Sequence, residues 1–191
     1  MQIRLSLLAV AALGVLWFGC NSHPTVTTQP ADQANNKVMA VDSMAFYENI
    51  LKDDSLNTEL RVALATNYYA AKKFDKAIQH LLIVHRIDPT NTEALITLGN
   101  VYYDTDQNDN AITYYEKALA LNDKNVDVRC DLATCYLNEK KTDQAYKLLK
   151  KNLDINPNHA QSHHNLSVVY GQMGKTKEAE AELKIFNSLQ K

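Results

Sequence analysis

Glycine and proline punctuate loops and tight turns, and this sequence has only 5 of one and 4 of the other in 191 residues. A sandwich or barrel of many short strands needs more of both, and no run alternates apolar and polar residues as a half-buried strand would. Helix formers fill the chain, so the class is all-α. Charge of one sign is missing too. The net charge of −2 gives no general attraction for nucleic acid. The longest apolar run, Leu5–Phe18, has fourteen residues, short of the roughly 20 that a membrane-spanning helix needs. No Gly-rich phosphate loop, nucleophile elbow or paired-carboxylate signature is present. An enzyme is therefore not expected, and no cofactor is implied. What remains is 46% hydrophobic, enough for one domain with a real core.

The core is written as a repeat. A step of 34 takes Leu64 to Leu98, Leu132 and Leu166, Tyr68 to Tyr102, Tyr136 and Tyr170, and Ala77 to Ala111, Ala145 and Ala179. One period held by three residue types over four copies without a gap signals a stacked repeat architecture. Leu and Tyr four apart share one helix face. A second helix repeats the pattern with Ala, then Leu81, Tyr115, Leu149 and Leu183, then Val84, Ala118, Asn152 and Phe186. Each unit is two short antiparallel helices. The units run 58–91, 92–125, 126–159 and 160–191, preceded by a half repeat over 38–57 in which Tyr47 and Ile50 stand 34 before Leu81 and Val84.

These residues resemble the tetratricopeptide repeat: a large residue, Leu, a small residue, Tyr, then Ala, Leu or an aromatic, and Pro. The small residue is Ala65, Gly99, Ala133 and Ser167, and Pro89 and Pro157 match the closing proline where Asp123 and Lys191 do not. The usual Trp is replaced by Arg61, Leu95, Arg129 and His163, a relaxation expected to weaken packing slightly. The resemblance implies a right-handed solenoid of antiparallel helix pairs. Asn57, Asn91 and Asn125 precede the first helices, where their side chains can accept from free backbone N–H groups. The hairpin turns centre on Lys72, Asp106 and Lys140, and only the fourth carries a glycine, Gly174. In the last helix Glu180 and Asn187 replace apolar residues that face the next repeat elsewhere, giving the polar outer face a terminal unit needs. Leu183, Phe186 and Leu189 leave an apolar remainder, read as a greasy C-terminus in preference to a dimer contact.

Residues 1–19 are a separate object. Arg4, the apolar run and Gly19-Cys20 have the layout of a secretory signal. Ending in Gly-Cys, it resembles a bacterial lipoprotein signal, which implies diacylglycerol on the Cys20 thiol. Trp17 stands where that family prefers Leu, and an ordinary signal peptide or an uncleaved anchor is the alternative. Asn21 after the cysteine implies the outer membrane by resemblance to enterobacterial sorting. Residues 20–37, polar with two prolines, read as a lipidated cysteine and a flexible tether.

Candidate chemistry is thin. Cys130 and Cys135 lie five apart on one helix, roughly 7.5 Å by rise alone, beyond disulfide reach. Cys135 reads as a small core residue, and Cys130 faces the groove with nothing to lower its pKa. His159 and His163 have the i, i+4 spacing of a helical metal pair, but no further ligand completes a site and packing roles suit both better. The ligand-facing positions of tetratricopeptide repeats carry over to Glu59, Val62, Thr66 and Tyr69; Glu93, Ile96, Asn100, Tyr103 and Asp104; Asp127, Cys130, Asp131, Thr134 and Asn138; and Gln161, His164, Asn165, Val168 and Gln172. The set holds five carboxylates and no Lys or Arg, so a protein or peptide partner with a basic or polar segment suits it. Repeats that grip a C-terminal carboxylate need basic residues where Ile96, Asp127 and Asp131 stand. Glu59, Glu93 and Asp127 also suit the first-turn helix dipole. Second-helix lysines on the opposite face read as solubility. The function implied is a membrane-tethered periplasmic scaffold for envelope assembly, with a chaperone-like holder of unfolded envelope proteins as the alternative.

Overall fold

The computed structural model describes residues 44–191. The lipoprotein-type signal, Cys20 and the tether lie outside the described residues, as does the start of the half repeat. Residues 44–53 are helical (α1). Eight helices follow: α2 (Thr58–Ala70), α3 (Phe74–Ile87), α4 (Thr92–Asp104), α5 (Asn108–Leu121), α6 (Val126–Asn138), α7 (Thr142–Ile155), α8 (Ala160–Gln172) and α9 (Thr176–Leu189). No strand occurs among the described residues. Each odd helix from α3 onward packs on the even helix before it, and α3, α5 and α7 also pack on the helix that follows. The result is an all-α helical-repeat solenoid.

Local chemistry sets every boundary at the same place in each unit. Asn57, Asn91 and Asn125 accept from the N–H of Leu60, Ala94 and Val128 at 2.9, 2.9 and 3.1 Å. His159 takes over before α8, its Nδ1 accepting from Ser162 N at 3.3 Å while Nε2–H faces Asp127 Oδ1 at 3.0 Å. The even helices end in Schellman turns: Lys73, Gln107, Lys141 and Lys175 donate to the carbonyls of Tyr68, Tyr102, Tyr136 and Tyr170, each at 2.8 Å. The residue before each donor has positive φ, 57° at Lys72, 58° at Asp106, 57° at Lys140 and 73° at Gly174. Three turns therefore adopt a left-handed conformation with a side chain in place.

The core runs in two continuous clusters from Met44 and Leu51 to Val169, through the Leu, Ala and Tyr positions of the repeat. In α1 the deeply buried residues are Met44 and Leu51, while Tyr47 and Ile50 are half-buried. The same tie fixes α1 and the third repeat. The Tyr68 hydroxyl donates to Glu48 of α1, and the Tyr136 hydroxyl donates to Glu116 of α5 at 2.7 Å. Lys76 adds an ion pair to Glu48 at 3.8 Å.

The small position next to the repeated Leu is a packing constraint. A Cβ built on Gly99 would meet the Tyr115 ring at 2.4 Å. Units with Ala here, at Ala65 and Ala133, have Leu81 and Leu149 where Tyr115 stands. Gly99→Ala should therefore lower stability by about 1–3 kcal/mol, and Tyr115→Leu in the same chain should recover most of that loss. A denaturant-unfolding double-mutant cycle checks this, and additive losses would refute the pairing.

The Glu48 tie predicts a pH dependence. Its carboxyl is held below the ordinary 4.5, first by the Tyr68 hydrogen bond and then by Lys76, His80 and Lys73, against burial. A depressed carboxyl stabilises the fold above its unfolded value and loses that contribution as pH falls through the lower folded value. Hydrogen exchange in residues 44–53 should accelerate below pH 4.5 well before α6, and Glu48→Gln should flatten the difference.

Candidate functional site

The even helices α2, α4, α6 and α8 lie side by side, with direct contact between α2 and α4 and between α6 and α8, and form the inner face. The nineteen positions assigned to that face fall into two depths. Val62, Cys130, Thr134 and Asn165 are buried beneath it. Cys130 is 0% exposed, because α6 and α8 close over it: Asn165 Nδ2 lies 3.3 Å from its Sγ and donates to Thr134 Oγ1 at 2.9 Å. These four shape the floor and present no surface to a partner.

The upper layer consists of Glu59, Thr66, Glu93, Asp104, Asp127 and Asn138, all exposed, with Tyr69, Ile96, Asn100, Tyr103, Asp131, His164 and Val168 half-buried among them. Gln161 is half-buried and Gln172 exposed. Several of these side chains also tie helices together. The Tyr69 hydroxyl donates to Asp104 Oδ2 at 2.6 Å, Tyr115 donates to Asn100 Oδ1 at 2.8 Å, and Asp127 accepts from His159. Burial first, and then the Asp104 hydrogen bond with the Asp104 and Asp131 charges, pushes the Tyr69 hydroxyl far above its ordinary value. It stays a donor, and its hydrogen bond fixes the orientation of the Asp104 side chain. Asp131 likewise raises Tyr115, after burial, so the field across the centre of the face is negative.

An open cleft of about 570 Å³ lies where the even helices meet their turns, between Asp104 and Asp106 of the second repeat, Asn138 and Lys140 of the third and Gln172 of the fourth. Its volume lies within the roughly 300–1,000 Å³ of ligand sites.

Three of the four positions that lack Trp carry polar side chains that reach loop carbonyls, and the fourth, Leu95, is buried. Arg61 Nε donates to Ser55 O at 2.9 Å, Arg129 Nη2 donates to Asp123 O, and His163 Nε2 donates to Pro157 O at 2.9 Å. Each side chain reaches the carbonyl six residues back and pins the loop between repeats. Arg129, 2% exposed, also donates to Asn152 Oδ1 at 2.9 Å. Asn152 in turn donates to Val126 O at 2.7 Å and Ser162 Oγ at 3.1 Å. The sequence carried a signal for this, a polar Asn in the series Val84, Ala118, Phe186. It had no way to name the partners.

Among the described residues no group of His, Cys, Asp and Glu is arranged to hold a metal ion, and no helix is long and apolar enough to cross a membrane. Cys130 and Cys135 are both buried. On the outer face Lys151 pairs with Asp123 at 3.8 Å and Lys117 lies 4.9 Å over the Tyr114 ring.

Comparison with known proteins agrees with this geometry. The family of subunit 3 of the anaphase-promoting complex, or cyclosome, matches residues 104–185. No curated protein sequence matches the chain. Among solved structures, a crystal structure of MamA superposes with a TM-score of 0.76 at 24% identity, covering 86% of this chain and 96% of that one. The crystal structure of YrrB, described as a TPR protein with an unusual peptide-binding site, gives 0.71 at 22% identity over 84% of this chain and 82% of its own.

The buried polar junction between the third and fourth repeats supplies a test. Asn152→Ala strips one acceptor from a buried guanidinium and leaves the Ser162 hydroxyl and Val126 carbonyl short of a donor. It should cost about 2–4 kcal/mol, with amide exchange rising first in α7 and α8. Loss below about 0.5 kcal/mol would show that water replaces the network.

Proposed function

This chain is a tetratricopeptide-repeat protein in sequence pattern and fold, and we propose that it works as a scaffold or adaptor that holds an extended segment of a partner protein on its inner face. The observation that carries this reading is the upper layer of that face. Exposed carboxylates and amides and half-buried tyrosines stand on a floor fixed by Asn165, Thr134 and Cys130. Such a surface recognises by shape and charge and makes no bond. YrrB, of similar fold, is described by its peptide-binding site, which supports the same use of the fold here.

The lipoprotein-like N-terminus completes the proposal. Lipid on Cys20 anchors the chain to a bacterial envelope membrane, the outer membrane facing the periplasm, and the polar stretch after it joins the anchor to the repeat array. The adaptor then serves assembly of an envelope machine. A holder of unfolded envelope chains is the second reading, favoured by the half-buried Ile96, Tyr103 and Val168 on the inner face. A single stoichiometric partner supports the adaptor and a broad client spread supports the holder.

The anchor is tested with Cys20→Ala. The native chain should sediment with membranes and carry a diacylglycerol mass increment, and the variant should be released without it. Equal release of both forms ends the tether proposal. Cross-linking in envelope fractions tests the inner face: Tyr103→Ala/Glu93→Lys, still helical by circular dichroism, should lose a discrete partner. An unchanged partner set would move the function to another surface.

A further inference from the structure

The cleft at the turn edge of the inner face is an open site with a net charge and a fixed acceptor. Resting on the reading of this face as a partner-binding surface, we propose that the cleft is its specificity subsite and takes the cationic side chain of one Lys or Arg in an extended partner segment running across the ends of α4, α6 and α8.

Four observations converge on that occupant. The first is volume. About 570 Å³ accommodates a long side chain together with the backbone that carries it. The second is charge. Two carboxylates, Asp104 and Asp106, line the cleft against one ammonium, Lys140, so one added cation neutralises it, whereas an anion would leave it two charges from balance. The third is preorganisation. Tyr69 clamps Asp104 from the α2 side at 2.6 Å, so this carboxylate meets a ligand without losing rotamer freedom. Asp106 occupies a turn position that Lys72, Lys140 or Gly174 fills in the other repeats. Its carboxylate is thus not a requirement of the backbone.

The fourth is the remainder of the lining. The half-buried Tyr103 and buried Leu137 offer apolar contact for the methylene stem, and a ring face attracts the cationic head. Asn138 and Gln172 occupy the register of Asp104 one and two repeats further on. Asn138 donates to Asn108 at 3.4 Å, which leaves its carbonyl to accept. Gln172 accepts from the Thr142 hydroxyl at 2.7 Å, which leaves its N–H groups to donate. An acceptor and a donor at adjacent steps suit the amides of an extended backbone. Lys140 sits between them and sets polarity along the cleft: it disfavours a second cation next to the first on the α6 side.

The test uses the full chain and fluorescein-labelled Gly/Ser/Thr decapeptides with a central Lys, Arg, norleucine or Glu, read by anisotropy at low salt. The Lys and Arg peptides should bind about tenfold more tightly than the norleucine peptide, and the Glu peptide should bind most weakly. Asp104→Asn/Asp106→Asn, isosteric and checked by circular dichroism, should abolish the preference for the cation, and Lys140→Gln should strengthen it. Amide shifts on titration should centre on Tyr103, Asn138 and Gln172. Binding without charge preference overturns the proposal. Basic peptides that bind the double variant unchanged, with shifts near Glu59 and Glu93, overturn the subsite and leave the partner-binding face standing. If no decapeptide binds, the subsite falls, and the cross-linking result alone then decides the wider reading.

Discussion

No helix in this chain can bury its apolar face alone, and the rest of the structure follows from how that is resolved. Every α-hairpin leaves one face of its second helix bare, and the first helix of the following unit covers it. Leu81, Tyr115 and Leu149 are 0–2% exposed because α4, α6 and α8 lie over them. The constraint acts on volume, not only on hydrophobicity. Where one unit enlarges the contact with Tyr115, the facing backbone gives up its Cβ at Gly99. Each junction is closed by a fixed total of side chain, apportioned differently in each repeat.

That arrangement explains which parts of the fold were legible in the sequence. Leu, Tyr and Ala recur every 34 residues because each copy repeats the same environment, and Asn57, Asn91 and Asn125 recur because the first helix of each of those units starts with the same unsatisfied N–H groups. Departures from the pattern were harder to read. Arg129 stands in place of Trp and reads as a loss of packing until Asn152, Ser162 and the loop carbonyl of Asp123 are seen around it. His159 reads as a helix-start residue better than as half of an i, i+4 metal pair, but only the structure shows it capping α8 in the position Asn holds elsewhere. The partners of Arg129 are a loop carbonyl and a side chain on the next helix, and a 34-residue period says nothing about them.

The inner face was legible as a set of positions and not as a surface. Repeat register places Val62, Cys130, Thr134 and Asn165 on the same side as Tyr103 and Asp104, but register carries no depth. Depth comes from the contact of α6 with α8, which folds Asn165 over Cys130. Ties between repeats and candidate partner contacts share this face. Tyr69 holds Asp104 and His159 holds Asp127, so these acids are already oriented by contacts between helices. A change that frees Asp104 therefore also removes a tie between the first two repeats.

Among the described residues no helix packs over α9 as α4, α6 and α8 pack over α3, α5 and α7. Leu183, in the series of Leu81 and Leu149, is 42% exposed, and α9 has no buried residue. The neighbouring positions have turned polar, to Glu180 and Asn187, which lowers the apolar area left open without removing it. What holds α9 is therefore local to its own hairpin. His163 meets Glu182 at 2.6 Å while its other nitrogen donates to Pro157 O, and Phe186 packs on His164 with ring centroids 5.0 Å apart. The last hairpin therefore relies on polar and ring contacts where the others rely on burial.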